Sequence, residues 1–325
     1  MRPLTFVDVC AGAGGLSQGF LDAGFVATLL NDADKVCCDT LRLNHAGADI
    51  FHGRMEDIDL NKYKGVDVLV GGVPCQPFSS SGKREGMKDE RGGLILHFGA
   101  MVDVLEPRVF LIENVKGLVT HDGGRTLDFI MRELDKYGKY NIVHRVLNAN
   151  DYGVPQCRER LIIVGVHKSI QASFSYPIEH QYKPVLKDVL VGCPESPGML
   201  YNEEKFNIMV RVPEGGCWID VPEHIHRPYM GSTYYAGGGK RGTLKRLSME
   251  KPCPTLLTCP SLRQTERCHP WYTRPLQTLE YARIQTFPDA YQFAGTTGQI
   301  YRQIGNAVPI NMARALAAEV KAVLV

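Results

Sequence analysis

What this sequence lacks narrows its reading first. No apolar stretch approaches the about 18 residues of a membrane span, and no signal-peptide pattern follows Met1-Arg2-Pro3, so a soluble, cytoplasmic protein without membrane contact is expected. The ten cysteines never fall into a Cys-x-x-Cys pair, and Cys37 adjoins Cys38. Neither a zinc site nor a disulfide framework is suggested; free thiols in a reducing compartment fit better, and no metal is expected. Internal repeats and low-complexity tracts are absent. Counted from Gly12, a Gly-x-Gly-x-x-Gly fingerprint would need glycine where Ser17 stands, which disfavours a nicotinamide dehydrogenase.

The 325 residues, 44% of them hydrophobic, suffice for one large core or a core plus a smaller lobe. Leu4 to Cys10 reads as a strand and Ala11 to Gly15 as a tight turn into a helix with Leu16, Phe20 and Leu21 on one face. Val26 to Leu30 reads as a second strand ending in Asn31-Asp32. Asp32 is placed either to accept from ribose hydroxyls or to cap a helix from Lys35 to Asn44. Arg108 to Ile112 is another buried strand, and its end carries Glu113, a group for the sheet edge or a cap for the next element. Gly123 to Tyr137 has helical period, Tyr140 to Leu147 is strand-like, and Leu161 to Val166 is an apolar strand. Arg158 and Arg160 enter that strand at alternate positions and share a face, as surface ion-pair partners or as groups directed into a site.

Strict alternation stops near Tyr176, and Pro, Gly, Tyr and short β-like runs dominate until about Arg274, which suggests a separate lobe. Helical spacing returns from Leu276 to Thr286, and an amphipathic helix runs from Asn311 to Leu324. The net charge of +2 is unevenly spread: from His224 to Pro275 nine Lys or Arg face two acids, so that segment is +7 and the remainder −5. Such asymmetry fits a phosphate-binding surface on an acidic body, or simply a solvated basic face.

The stretch that organises the rest is Gly71-Gly72-Val73-Pro74-Cys75-Gln76-Pro77-Phe78-Ser79, which follows the apolar run Val66 to Val70. It places Cys75 at the carboxyl end of a strand, where open α/β sheets bind ligands, while Pro74 and Pro77 fix φ and remove two backbone donors. A lone cysteine there is most often just a small buried side chain; its company argues for a nucleophile. Ser79 to Gly93 is polar, glycine-rich and without apolar period, an expected mobile loop or lid.

Taken together, Asp8 to Gly15, Pro74-Cys75-Gln76, Glu113-Asn114-Val115, Gln156-x-Arg158-x-Arg160, Arg274 to Pro288 and Gln303-x-Gly305-Asn306 resemble the cytosine-C5 DNA methyltransferase family, in family order. The resemblance implies an α/β fold: a mostly parallel, Rossmann-like, S-adenosylmethionine-dependent methyltransferase sheet in residues 1–175, an inserted target-recognition lobe in 176–274, and a closing segment in 275–325. It implies methyl transfer to C5 of a flipped-out cytosine in duplex DNA. Cys75 would attack C6 as a thiolate of lowered pKa, and Glu113, its pKa raised by burial, would act at N3. Arg160 would hold the base O2, and Arg158 would balance charge near Cys75.

By the same resemblance, S-adenosyl-L-methionine would be held by Cys10, Ala11, Gly12, Gly14, Gly15, Leu16, Asp32, Asp57, Ile58, Gly72, Pro74, Leu94, Asn306 and Val308. DNA would be met by Ser81, Lys83, Arg84 and Arg91 of the lid and by Lys240, Arg241, Arg263 and Arg267 of the basic lobe, with salt-dependent affinity. Two departures stand out: Cys10 where many members have Phe, and Asp32-Ala33 where many have Glu and a large residue. A monomer acting on DNA is expected, with a restriction endonuclease for the same site as a candidate partner. The rival readings are a transfer-RNA methyltransferase of the same fold, whose Cys-Phe-Thr signature is missing here, and a non-catalytic DNA-binding regulator.

Overall fold

The computed structural model describes residues 2–74, 93–235 and 242–325. Five strands, β1 (Thr5–Val9), β2 (Val26–Asp32), β3 (Asp49–His52), β4 (Val68–Gly71) and β5 (Val109–Val115), run parallel in the order β3-β2-β1-β4-β5. β8 (Glu159–His167) follows antiparallel to β5, and β6 (Tyr140–Asn148) closes the edge antiparallel to β8. The central strands are buried on both faces, which is why they read as continuous apolar runs rather than alternating ones.

Two apolar layers sandwich this sheet. One joins Phe6, Leu30, Val70, Leu111 and Val164 to Phe20 of α1 (Gly15–Asp22) and to Met312, Leu316 and Val320 of α10 (Ile310–Leu324). The other joins Val9, Leu69 and Ile112 to Phe98 and Val102 of α3 (Gly93–Leu105) and Ile130 of α4 (Arg125–Leu134). The C-terminal segment therefore completes the sheet with a helix, not a strand. α1 and α10 approach closely at Gly19, where an added Cβ would sit 2.4 Å from that of Ala313.

Between β8 and α10 the chain builds smaller pieces. A two-stranded parallel pair, β7 (Gln156–Cys157) with β9 (Cys253–Pro254), ties the region to the main body. Leu186, Leu247, Met249 and Leu256 pack with Tyr281 of α8 (Thr278–Ile284) and Ile304 of α9 (Thr297–Asn306). A separate cluster of Met209, Val212, Val221, Leu244 and Cys268 forms a core of its own. Arg246 organises that core: its guanidinium, 5% exposed, donates to the carbonyls of Val212 at 2.7 Å, Met209 at 2.8 Å and His269 at 3.2 Å.

This placement changes the reading of the basic segment. Arg246 and Arg267 are buried, and Arg274 is held by the Glu280 carboxylate through two 2.8 Å bonds. Among the described residues, three of the seven cations counted from His224 to Pro275 are thus directed inward, because unsatisfied backbone carbonyls and a buried acid claim them. Lys240 and Arg241, like Cys75, Ser81, Lys83, Arg84 and Arg91, lie outside the described residues. Among the described residues no helix is long and apolar enough to cross a membrane, and no group of three His, Cys, Asp or Glu could hold a metal.

Candidate active site

Because β2, β1, β4 and β5 are parallel neighbours, their carboxyl ends share one edge. Gly72 follows β4 there: a Cβ added to it would lie 3.6 Å from Glu113 Oε2 and 3.7 Å from the Cys10 carbonyl oxygen. The nucleophile candidate Cys75 follows three residues on in sequence. Asn114, quoted in the sequence as part of a motif but given no role, holds this turn: its Nδ2 donates to the Val73 carbonyl at 2.9 Å, and its Oδ1 accepts from Val115 N.

Glu113 is 9% exposed and meets Arg160, whose Nε stands 2.8 Å from Glu113 Oε1. The register explains the meeting: Val115 faces Arg160 and Glu113 faces Ile162, so Glu113 and Arg160 are diagonal neighbours on one sheet face. Arg160 also donates through Nη1 to the Glu159 carbonyl. Arg160 is thus an ion-pair partner, but a largely sheltered one, its side chain 14% exposed.

Arg158 is not on the strand but in the step between β7 and β8, and its hydrogen-bond partners differ from those of Arg160. It is 2% exposed; Nη1 donates to Leu256 O at 3.2 Å, Nη2 to Asn306 O at 3.4 Å, and Nε has no partner among the described residues. Burial first, and then the charge of Arg160, bring its pKa down to about 9. Beside it Gln156 accepts from Leu256 N and donates to Gln285 Oε1, and Gln285 in turn donates to Ile304 O and Ala307 O. These buried amides form a strut between β7, the Leu256 segment and the end of α9. Gln156 was quoted only as a motif letter, and its partners lie so far off in sequence that no spacing could have revealed them.

The cofactor candidates divide. Asp32 Oδ2 accepts from Gly12 N at 2.8 Å and Oδ1 from Asp34 N at 2.8 Å. The helix cap weighed for Asp32 belongs instead to Asp34, whose Oδ1 accepts from Val36 N at the start of α2 (Lys35–Asn44). Asp32 is partly exposed, its pKa raised by burial, and a carboxylate offers about four acceptor sites, which the N–H groups of Gly12 and Asp34 do not exhaust. A Cβ on Gly12 would meet nothing within 4 Å, and Cys10 is half-buried with φ 54, its thiol pushed up to about 12 by burial. Asp57, Pro74 and Asn306 are exposed, Leu94 is half-buried, and Ala11 is buried.

Gly14, Gly15 and Leu16 are packed against the rest of the chain. A Cβ on Gly14 would strike Tyr291 Oη at 2.7 Å, one on Gly15 would strike Val308 O at 2.2 Å, and Leu16 is 3% exposed within the core. Ile58 and Val308 are also largely buried, at 8% and 6%.

Arg267 is 6% exposed and donates to Thr255 O at 2.7 Å and Glu266 O at 2.8 Å, so it braces the 255–267 stretch. Arg263 is exposed at the tip of the same stretch, lies 5.2 Å from the Tyr229 ring centroid, and donates to Tyr229 O.

The carboxyl edge of this mainly parallel α/β sheet gathers a glycine turn, the Asp32 carboxylate and the Arg160-paired Glu113, and the chain is an enzyme of the methyltransferase class. The C-5 cytosine-specific DNA methylase model matches residues 4–322, and the chain belongs to that family. It is 47% identical over 97% of its length to Type II methyltransferase M.PspPI of Psychrobacter sp., covering 78% of that protein. It is 45% identical over 94% of its length to Type II methyltransferase M.Sau96I of Staphylococcus aureus, covering 72% of it. In fold it matches a putative DNA modification methyltransferase encoded within a prophage of E. coli, with TM-score 0.72, 24% identity and 99% of both chains covered. A methyltransferase of Entamoeba histolytica gives TM-score 0.71 at 15% identity, with 100% of both chains covered.

Proposed function

We propose that this enzyme transfers a methyl group from S-adenosyl-L-methionine to C5 of a cytosine flipped out of duplex DNA, through a covalent bond between Cys75 and C6 of the base. The observation that carries the reading is the approach of Glu113 and Arg160 beside Gly72, three residues before Cys75. Cytosine C5 is a poor nucleophile; thiolate attack at C6 makes it an enamine, and the charge that develops needs a partner on the ring. Glu113 would supply a proton at N3 and Arg160 a cationic donor at O2. Arg158 acts as a positioning residue, joining the Leu256 segment to Asn306 behind the site.

The residues present fit the methyl donor. Asp32 keeps acceptor capacity for ribose hydroxyls, Gly12 leaves its Cα face open, and Cys10, Asp57, Pro74, Leu94 and Asn306 are at least partly accessible. When bound, S-adenosyl-L-methionine supplies an electrophilic methyl on sulfonium. Arg263 and the lid cations would meet the duplex, and the relatives' Type II names support a restriction endonuclease for the same site as partner.

The test is nucleoside mass spectrometry after incubation with methyl donor and either duplex DNA or transfer RNA, with Cys75→Ala in parallel. 5-Methyldeoxycytidine from DNA with the unmodified protein alone is expected. Product in RNA only, or product that survives Cys75→Ala, would overturn the reading.

A further inference from the structure

Beneath the glycine turn lies a buried pair that the mechanism above does not use. Tyr291, 9% exposed, donates its hydroxyl proton to Ala13 O at 2.5 Å, since a carbonyl only accepts. Its oxygen is also 3.0 Å from His45 Nε2. With its one proton committed, the hydroxyl must accept there, so His45 carries its proton on Nε2. Burial holds His45 neutral, at about 4, and Nδ1 has no partner among the described residues.

The pair is built from distant parts of the chain. His45 caps α2 at its C-terminus, and the 291–294 stretch is stapled to that helix: Asn44 Nδ2 donates to Gln292 O at 2.8 Å, Asn44 Oδ1 accepts from Gln292 N at 2.9 Å, and Thr40 Oγ1 accepts from Ala294 N at 2.9 Å. Phe287 and Phe293 flank the Tyr291 ring, at 4.8 and 5.3 Å between centroids. Gly14, at φ 80, lets the hydroxyl in, because any Cβ there would collide with Tyr291 Oη and His45 Nε2. Side chains hold the turn from both sides: Asp32 takes the Gly12 N–H and Tyr291 gives to Ala13 O, beside the backbone bonds from Ala11 N to Asn31 O and from Gly14 N to Ala11 O.

We infer that Tyr291, oriented by His45, is a positioning residue for the methyl donor, setting the conformation of the 11–14 turn against which that donor binds. The inference rests on the proposed function, since it takes this turn as the donor's seat. A turn held in its binding conformation saves ordering cost on binding, so losing the hydroxyl should weaken donor affinity and leave the chemical step alone.

The experiment measures S-adenosyl-L-methionine binding by calorimetry and steady-state methylation for the full chain and for Tyr291→Phe, His45→Gln and His45→Leu. Gln retains a donor near the place of Nε2. Tyr291→Phe and His45→Leu should raise the donor Kd and KM by about tenfold, the scale of one lost buried hydrogen bond, with kcat at saturation and KM for DNA unchanged. His45→Gln should recover most of the affinity, a rescue that core packing alone would not give. If Tyr291→Phe does not fold, the two His45 variants decide. Donor affinity within twofold of wild type for Tyr291→Phe or His45→Leu, or a fall in kcat with KM unchanged, overturns the inference alone. Failure of the wild-type protein to bind the donor overturns the functional reading and this inference with it.

Discussion

Arg160 Nε sits 2.8 Å from Glu113 Oε1, across two strands that run in opposite directions. Both side chains are largely sheltered, so removing one strands a charge on the other. Glu113→Gln keeps shape and hydrogen bonding but no acidic proton. Its single-turnover methylation should fall by about 10²-fold or more while donor binding stays within a few fold. Activity within threefold of wild type would remove Glu113 from the chemistry.

Asn114 fixes the turn that leads to the nucleophile candidate, through Val73 O. Asn114→Ala leaves that buried carbonyl unpaired, a loss of about 1–3 kcal/mol. Urea unfolding should register it, and methylation should drop by more than the fraction unfolded explains. Loss of stability with full specific activity would reduce Asn114 to a structural role.

Two arginines four residues apart in one stretch should behave oppositely. Arg263 is exposed and Arg267 buried against carbonyls. Arg263→Ala should weaken duplex binding and lower the slope of affinity against salt by about one ion, with thermal stability unchanged. Arg267→Ala should lower the melting temperature, leaving two carbonyls and a cavity. Salt titrations beside thermal melts decide; the reverse pattern would mean that Arg267 reaches DNA.

Asp8 lies on β1 below the glycine turn with no exposure. Its Oδ2 takes the Ser17 hydroxyl at 2.5 Å, and its Oδ1 has no partner among the described residues. Burial raises it from an ordinary 3.8 to about 7. The native state therefore holds a proton that the unfolded chain releases, so the associated stability is present below about pH 4 and is lost as pH rises toward 7. Asp8→Asn should remove this slope and gain on the order of 2–4 kcal/mol relative to wild type between pH 5 and 8. Denaturation midpoints at the two pH values test it; a difference that does not change with pH would show Asp8 titrating normally.

Much of this was legible in the chain. Buried parallel strands announce themselves as apolar runs, so β1, β2, β4, β5 and β8 fall where Phe6, Leu29, Leu69, Phe110 and Ile163 predict them, and Glu113 and Arg160 fall on the neighbouring strands β5 and β8. The family follows from that order of motifs and is shown by the match over residues 4–322. What composition misjudged was charge: Arg246, Arg267 and Arg274 count as positive in any tally, yet carbonyls and Glu280 turn them inward.

The sequence by itself determined the period of burial and the type of each chemical group, because both are local properties of side chains. Only the tertiary structure decided which groups meet. Gln156 finds Gln285, Arg158 finds Asn306 and Tyr291 finds Ala13 across more than a hundred residues. The physical reason is that a buried carbonyl or amide must be satisfied by whatever donor the packing brings within about 3 Å, and packing is a property of the whole chain.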